Sequence, residues 1–441
     1  MKHSLENFDI YPLVFPADGE AVINVKPLYK HVFFRPESTV RVAYSPILYP
    51  GDKQKLSGHA QPEAADFEVL DNTMVIKQFL PEEQEHSFIV YVTDDKGIEV
   101  EWLKFYIYSL KEDLISLRPY KGDFHMHSTF SDGKQCPEYV TASCRKIGLD
   151  FMVLTDHHEY TPSLKAIEFA ETVPTSMKTF PGEEVHLPDN PVHIVNFGGS
   201  FSVNDLADKD ETAYRREVEA MASGFPSEMP ENIRFQIAAS EWAYDRIRSG
   251  GGLAMYCHPY WRWNNQYNYI WESSVQWMFN RSKFDILELL GGYHRYESFS
   301  NNEQTAYYTQ EMIRTGGNVD WAVAGVSDSH DCDGDLFRWF YSILFADNCE
   351  FDSLKGAFQA QRSVAVKSIK SECPEIYGDL RYVRYAGFLM KNFYPRHDRL
   401  CRFEGELMLR LLAGERGAGE ILKTTSEPID ALFSKYWQSE K

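Results

Sequence analysis

The sequence predicts an α/β protein in which a small all-β domain precedes a larger domain of alternating strands and helices. Up to about residue 118, several segments alternate apolar and polar side chains, which is typical of half-buried strands. From residue 119 onward, short apolar runs end at Gly, Ser, Asp or Pro, which is typical of buried parallel strands. Helical patterns separate several of these runs. The length of 441 residues suits two or three domains.

Three alternating segments, residues 38–44, 86–92 and 99–108, define the first domain. Turn-forming residues at 50–52 and 94–97 separate them. Several short strands at this spacing predict a sandwich-like domain over residues 1–118.

Helix signals then divide the rest of the chain. A helix is expected over residues 137–147, with Pro137 in its first turn and Gly148 at its end. Two more are expected within 205–249, around Pro226, and another over 303–315. Residues 284–290 predict a buried strand. Residues 372–441 are expected to form a partly helical extension, with helices over 404–412 and around Trp437.

Histidines and carboxylates recur where the predicted strands of the second domain end. Parallel strands bring their C-terminal ends to one edge, where active sites of barrels and open sheets form. A His-x-His pair on an extended segment also directs both rings to one face. Imidazole and carboxylate bind divalent metals, so the conjunction predicts a multinuclear metal site. The residues of these types in the motifs are Asp123, His125, His127, Asp132, Asp156, His157, His158, Glu183, Glu184, His193, His258, Asp328 and His330.

The motifs that contain these residues resemble, in order, those of the PHP (polymerase and histidinol phosphatase) superfamily. The resemblance covers about residues 119–371. Within the superfamily, the sequence is most similar to the carbaryl-hydrolase-like metallohydrolases. The matching strings are Asp123-Phe124-His125-Met126-His127-Ser128, Ser131-Asp132-Gly133, Leu154-Thr155-Asp156-His157, Gly182-Glu183-Glu184, Cys257-His258-Pro259 and Ser327-Asp328-Ser329-His330.

The resemblance implies a distorted (β/α)7 barrel with two or three divalent metal ions, Mn, Zn or Fe. Glu183 could replace Glu184, and His186 could replace His193, but the family pattern favours Glu184 and His193. The implied sets are His125, His127, Glu184 and Asp328 for one ion, Glu184, His193 and His258 for a second, and Asp132, His157 and His330 for a third.

Such a centre implies a hydrolase that uses a metal-bound hydroxide. Glu184 and Asp328 are then catalytic as well as ligating, and His158 is expected to face the substrate or support the ligands. Arg295, after a predicted strand, is expected to bind a phosphate or carboxylate, or to pair with a nearby acid.

Three functions are compatible with this reading. The leading one is a phosphoesterase acting on a small soluble phosphate ester or diester. The second is a carboxylic ester, carbamate or amide hydrolase with the same metals. The third is a non-catalytic, metal-stabilised binding module.

Composition limits the partners. A formal net charge of −20 opposes binding to nucleic acid, which relies on Lys and Arg. The seven cysteines lack a Cys-x-x-Cys pair and favour a reduced, cytoplasmic chain. We predict no membrane segment, because the sequence lacks a long uninterrupted apolar run. The oligomeric state is not predicted.

Two segments keep alternative interpretations. The aromatic residues at 260–271 could form a pocket wall beside His258 or a local hydrophobic cluster. The cationic residues between Arg381 and Arg402 could form an anion-contacting lid or could pair with the acidic remainder of the chain.

Overall fold

The chain forms two compact units in the computed structural model. The described residues are 2–30, 39–48, 62–94, 96–263, 266–292, 299–424 and 428–438. The first unit comprises residues 1–117, 384–397 and 427–441, and the second comprises 118–383 and 398–426.

The C-terminal residues 372–441, expected to form a separate extension, are instead divided between these units. Their apolar side chains explain the division. Leu407 and Met408 pack with Val173 in the core of the second unit. Phe393 lies 4.8 Å from Trp437, by ring centroids, within the first unit.

Alternating strands build two sheets in the first unit. One sheet has the order β1-β3-β7-β6 and the other β2-β9-β8-β4-β5, as expected for a sandwich-like domain. The three segments predicted from the sequence are β4, β8 and β9, which are neighbours in the second sheet. The strand bounds are β1 Phe8–Tyr11, β2 Val14–Pro16, β3 Gly19–Pro27, β4 Thr39–Pro46, β5 Glu63–Ala64, β6 Asp66–Leu70, β7 Thr73–Leu80, β8 Gln84–Thr93 and β9 Glu99–Leu110; a short helix, α1, follows at Glu112–Ile115.

The second unit contains two mixed sheets and a small hairpin. The sheet orders are β12-β11-β10-β20-β21-β22 and β13-β14-β15-β18-β19, and β16 pairs with β17. The bounds are β10 Arg118–Asp123, β11 Phe151–Met152, β12 Lys178–Thr179, β13 Gly182–Val185, β14 Ile194–Phe197, β15 Leu253–Tyr256, β16 Arg262–Trp263, β17 Tyr267–Asn268, β18 Ile286–Leu290, β19 Ala322–Gly325, β20 Phe340–Ala346, β21 Ser363–Lys367 and β22 Glu375–Gly378.

Most helices lie between the strands of the second unit, and the last four follow β22. Their bounds are α2 Pro137–Lys146, α3 Thr161–Thr172, α4 Val203–Lys209, α5 Glu211–Ser223, α6 Glu231–Ser249, α7 Glu272–Arg281, α8 Phe299–Thr315, α9 Phe351–Gln359, α10 Leu380–Asn392, α11 Tyr394–Leu412, α12 Arg416–Leu422 and α13 Pro428–Tyr436. None of the helices in the described parts of the chain combines the length and apolar character needed to cross a bilayer.

The helix predictions are largely confirmed. Helix α2 begins at Pro137, and Gly148 behind it has a φ of +98°, a conformation that favours glycine. The region 205–249 contains three helices rather than two. Trp437 lies just beyond α13 rather than inside it.

Two isolated parallel bridges, Met126 with Ser329 and His157 with Glu184, connect the two large sheets. The sheet pairings and these two bridges together connect seven strands in a closed ring, in the order β10, β11, β13, β14, β15, β18, β19 and back to β10. Strand β14 is antiparallel to both its neighbours, because only the short connection 186–193 separates it from β13. The second unit is therefore a mixed α/β structure, and the distorted (β/α)7 barrel stays a prediction.

Candidate metal centre

One buried carboxylate, that of Glu184 in β13, lies at the centre of the predicted site. Its Oε2 atom is 2.7 Å from Nδ1 of His157, 3.4 Å from Nε2 of His125 and 3.5 Å from Nε2 of His127. His125 and His127 follow β10, and His157 follows β11, so two adjacent parallel strands supply these three rings.

The other oxygen of Glu184 faces a different set of imidazoles. Its Oε1 atom is 2.8 Å from Nδ1 of His193, 3.3 Å from Nε2 of His258 and 3.4 Å from Nε2 of His186. The sequence left His186 and His193 as alternatives. Both contact the carboxylate, and their rings stack at 3.8 Å.

Two aspartates complete the group. Asp328 Oδ1 lies 2.9 Å from Nε2 of His127 and 3.4 Å from Nε2 of His125. Asp132 Oδ1 lies 3.2 Å from Nε2 of His330 and 3.5 Å from Nε2 of His157. The structure thus brings together all nine predicted ligands. The grouping differs in part from the implied sets, because His157 lies nearest to Glu184 and His127 also lies among Asp132, His157 and His330.

The residues fit divalent ions because their buried polar atoms converge without satisfying one another. Within the described structure, Nε2 of His125, Oε2 of Glu184 and Nδ1 of His193 are buried and have no hydrogen-bond partner. Leaving buried polar atoms unpaired is costly, and a cation at their meeting point would satisfy them. The ligand atoms of His127, Asp132, His157 and His330 all lie within 4.8 Å of one another.

The electrostatics of the cluster favour ligation. Burial lowers the pKa of His193 to about 3, so this ring is neutral and has a lone pair available. Burial opposes the charged form of His157, but the Glu184 carboxylate beside it raises its pKa to about 10. Burial also opposes the charged form of Glu184, yet the surrounding imidazoles together hold its pKa well below the ordinary value.

The loop that carries Asp132 is fixed by Asp156, a residue whose role the sequence did not assign. The Asp156 carboxylate accepts hydrogen bonds from the backbone N–H of Ser128 at 2.8 Å and of Ser131 at 3.1 Å. Gly133 then passes so close to His127 that a Cβ would lie 2.5 Å from its carbonyl oxygen. The Ser-Asp-Gly motif is thus required by close packing as well as by the carboxylate.

Glu183 points away from this cluster. Its carboxylate accepts hydrogen bonds from Oγ of Ser202 at 2.7 Å and Nδ2 of Asn204 at 2.9 Å, and from the backbone N–H of Val203. These donors lie at the start of α4, where a carboxylate is favoured by the unpaired N–H groups and the helix dipole. Glu183 therefore stabilises a helix start, and Glu184 faces the imidazoles.

Glu288 is a site residue that the sequence analysis missed. It lies fully buried in β18, and its Oε2 atom is 3.0 Å from Nδ1 of His125. A carboxylate that accepts the Nδ1 proton directs Nε2 toward the ions and makes the ring a better ligand. The sequence offered one indication of this role, because Glu288 is a charged residue within the otherwise apolar strand predicted at 284–290.

Two residues predicted to be catalytic, His158 and Arg295, are not among the residues whose side chains the structure places around the Glu184 carboxylate. His158 is exposed, has a φ of +57°, and lies with its ring 4.9 Å from that of His186. It lines a neighbouring cleft of about 530 Å³ rather than contacting Glu184 through its side chain. Arg295 lies outside the described residues.

A cleft of about 400 Å³ opens over the centre. Its lining contains predicted ligands, including His193 and His258, together with Trp261, Trp263 and Tyr269. Among the cationic residues considered for a lid, Arg381 and Arg402 line two other clefts of the second unit.

Comparisons with known proteins give distant matches. No family model matches the chain. A stretch of 66 residues, 15% of this chain, is 42% identical to the DNA polymerase/3'-5' exonuclease PolX of Bacillus subtilis (strain 168). The match spans only 11% of that protein.

Two solved structures show low similarity. A two-domain protein of Bacteroides vulgatus containing a predicted PHP-like metal-dependent phosphoesterase is 19% identical, with 57% of this chain and 66% of that chain covered, at a TM-score of 0.36. The lesion-specific endonuclease PfuEndoQ of Pyrococcus furiosus is 13% identical, with 59% and 58% covered, at 0.34. These TM-scores do not establish a shared fold. The site itself has the donor types and the convergence that could hold a divalent metal ion.

Proposed function

We propose that this protein is a PHP-type metal-dependent hydrolase, most simply a phosphoesterase acting on a small soluble phosphate ester or diester. The observation that carries the proposal is the shared carboxylate of Glu184. Its two oxygens face two separate groups of imidazoles, and Asp328 and Asp132 lie beside them. A carboxylate shared in this way suits neighbouring ions better than a single one.

Two or three divalent ions would be held by the nine predicted ligands, with His186 as an additional candidate. Such ions lower the pKa of coordinated water and stabilise negative charge on the electrophile. The chain's own residues hold this arrangement in place. Glu288 orients His125, Asp156 fixes the loop that carries Asp132, and the buried walls limit access of bulk solvent.

A phosphorus ester is the leading substrate class for two reasons. The motif order resembles that of PHP proteins, whose phosphatase and polymerase members act on phosphate esters. The matched relative carries a 3'-5' exonuclease in its name, and exonucleases cleave phosphodiester bonds. The net charge of −20 favours a small substrate over a long nucleic acid.

A carboxylic ester, carbamate or amide is the second candidate. One observation favours it: the described lining of the cleft contains no Lys or Arg to bind a phosphoryl oxygen. A non-catalytic metal module is the third candidate, but loss of a ligand would be its usual sign, and all nine positions are filled.

The test compares the metal-depleted protein with protein reloaded with Mn²⁺, Zn²⁺ or Fe²⁺. Each form is assayed on phosphate monoesters, phosphate diesters, aryl carboxylic esters and carbamates. We expect metal-dependent turnover of a phosphorus ester, and loss of both bound metal and turnover in the His125→Ala, His127→Ala double variant. Unchanged metal stoichiometry in that variant would contradict the assignment of the site. Turnover of carboxylic esters or carbamates alone would favour the second candidate.

Arg295→Met separates the two enzymatic candidates further. A guanidinium that binds a phosphoryl oxygen contributes about 1.5–3 kcal/mol, so its loss should lower kcat/KM for a phosphate ester roughly ten- to a hundredfold. Metal content should stay constant. No change in kcat/KM on a confirmed phosphate ester would show that Arg295 has no such role.

A further inference from the structure

Three aromatic rings, those of Trp261, Trp263 and Tyr269, line the same cleft as the predicted ligands His193 and His258. The backbone N–H of Trp261 donates to the carbonyl of His258 at 3.0 Å, so the aromatic segment is tied to a predicted ligand. The ring centroid of Trp261 lies 6.0 Å from that of His193, and the ring of Tyr269 lies 5.8 Å from it. Trp263 lines the same cleft.

These rings are not part of the hydrophobic core. Tyr260 and Ile270, at the two ends of the segment, are 5% and 2% exposed and belong to the main core cluster of the second unit. Between them, Trp261 and Tyr269 are only half-buried, and Trp263 is 44% exposed. The three rings contact one another but keep exposed faces at the cleft, and their mutual packing does not account for those faces.

The hairpin that presents the rings is held in place by polar contacts. Strand β16 pairs with β17, and the backbone N–H of Tyr269 donates to the carbonyl of Trp261 at 2.9 Å. Arg262 forms an ion pair with Glu303, and its Nε donates to Oδ1 of Asn268 at 3.3 Å. The aromatic wall is thus positioned before a ligand arrives.

The ring arrangement suits a flat guest. Trp261 and Tyr269 meet edge to face at 4.9 Å, and Trp263 and Tyr269 are nearly parallel at 5.9 Å. The ligand imidazoles line the same cleft, and no Lys or Arg is among its described lining residues. A neutral planar group can stack on these rings while an adjacent ester lies at the ligands.

We infer that the substrate carries a flat aromatic ring next to the scissile ester, and that Trp261, Trp263 and Tyr269 bind this ring. The inference rests on the proposed hydrolase function, since it names the substrate class of the same site. Both a simple aryl group and a nucleobase supply this chemistry.

The test measures binding by calorimetry on the metal-loaded protein, without requiring turnover. Phenylphosphonate is compared with cyclohexylphosphonate, which has a saturated ring of the same size, and adenosine 5'-monophosphate is compared with ribose 5-phosphate. We expect the flat-ring member of at least one pair to bind about fivefold tighter or more, the scale of an aromatic contact. A preference in the first pair alone identifies an aryl group, and one in the second pair alone identifies a nucleobase.

Three variants locate the preference. Trp261→Ala and Trp263→Ala should each remove most of it, and the exposed position of Trp263 makes loss of folding improbable there. Tyr267→Ala is the matched control, because Tyr267 is on the same hairpin, is 58% exposed and does not line the cleft. The control should keep the preference of the parent protein.

Equal binding within both pairs would overturn the inference, as would a preference that survives both tryptophan changes. Steady-state turnover, measured separately, distinguishes this failure from failure of the proposed function. If the protein hydrolyses esters but does not prefer flat rings, the proposed function stands and the inference of a ring site is wrong. If the protein prefers the flat-ring ligands but hydrolyses none of the phosphate esters, carboxylic esters or carbamates, the ring site stands and the proposed function is wrong.

Discussion

At the scale of single residues, two adjacent glutamates of β13 have different tasks because successive side chains of a strand point to opposite faces. Glu184 meets imidazoles on both of its oxygens, whereas Glu183 meets N–H and O–H donors around the start of α4. Both carboxylates are fully buried. Burial raises the pKa of Glu183, while the imidazoles lower that of Glu184. The pKa values of the two neighbouring carboxyl groups are therefore shifted in opposite directions.

We predict that Glu184→Gln and Glu183→Gln fail in different ways. Glu184→Gln should lower the bound metal by at least one equivalent, because an amide does not bridge ions as a carboxylate does. Glu183→Gln should retain the metal but lose about 1–3 kcal/mol of stability, because the amide NH₂ would face donors instead of accepting from them. Elemental analysis and thermal unfolding of both variants provide the comparison. Equal metal loss in the two would show that the strand register assumed for the site is wrong.

At the scale of elements, strand β8 of the first unit carries a buried histidine whose protonation state is set by its neighbours. Ser109 donates its hydroxyl hydrogen to the carbonyl of Glu82, so its Oγ accepts from Nε2–H of His86 at 2.7 Å. Nδ1 of His86 then accepts from the hydroxyl of Tyr44 at 3.0 Å. This pattern uses the neutral ring, and burial lowers the pKa of His86 to about 3.

The expected consequence is acid sensitivity. The folded pKa lies below the unfolded value of about 6.5, so the unfolded chain binds more protons between these values. The stability due to neutral His86 is present above pH 6.5 and is lost progressively as the pH falls toward 3. Between pH 7 and 5 the parent protein should lose about 2 kcal/mol more than His86→Gln. Urea unfolding at the two pH values measures this difference, and parallel pH profiles would contradict it.

Helix α11 is joined to α2 within the second unit by a buried ion pair. Nε of Arg145 donates to the Glu404 carboxylate at 2.6 Å, and neither side chain is more than 2% exposed. Glu404 also accepts from the backbone N–H of Ser176 at 3.1 Å. This contact explains why part of the predicted C-terminal extension belongs to the second unit.

Removing one partner of this pair should destabilise the protein strongly. Glu404→Ala leaves the buried Arg145 charge without its main partner and should cost about 3–5 kcal/mol. The control is Glu415→Ala. Glu415 pairs with Arg410 at 2.6 Å, and both side chains are about half exposed. This change should lower the free energy of unfolding by less than about 1 kcal/mol. Thermal unfolding of both variants tests this, and similar losses would contradict the assigned burial.

At the scale of the whole molecule, charge is the property most relevant to partners. A net charge of −20 repels polyanions over the range set by the ionic strength. The centre nevertheless concentrates imidazoles around one carboxylate, so a small anion could still be bound by the ions there. These facts favour a small substrate at a local site over an extended nucleic acid.

We therefore predict no general affinity for nucleic acid. Fluorescence anisotropy with labelled single- and double-stranded 30-nucleotide DNA in 50 mM salt should show no saturable binding below about 10 μM protein, since such binding depends on cationic contacts with phosphate. Binding that weakens steeply with added salt would contradict this prediction and direct attention to the Arg381–Arg402 region.

The sequence alone determined the features that depend on local pattern. Period-two alternation identified β4, β8 and β9, and Pro137 with Gly148 bounded α2 closely. Histidines and carboxylates at predicted strand ends indicated a metal site, and the motif order of the family resemblance selected nine ligands that the structure brings together.

Tertiary structure decided what depends on distant partners. His193 stands at the beginning of β14, not at the end of a strand, and it joins the site because β14 runs antiparallel to its neighbours. Glu288 and Asp156 act through contacts with His125, Ser128 and Ser131, which lie far from them in the chain. The direction of a strand and the partner of a buried side chain arise from packing between remote segments, which local periodicity does not encode.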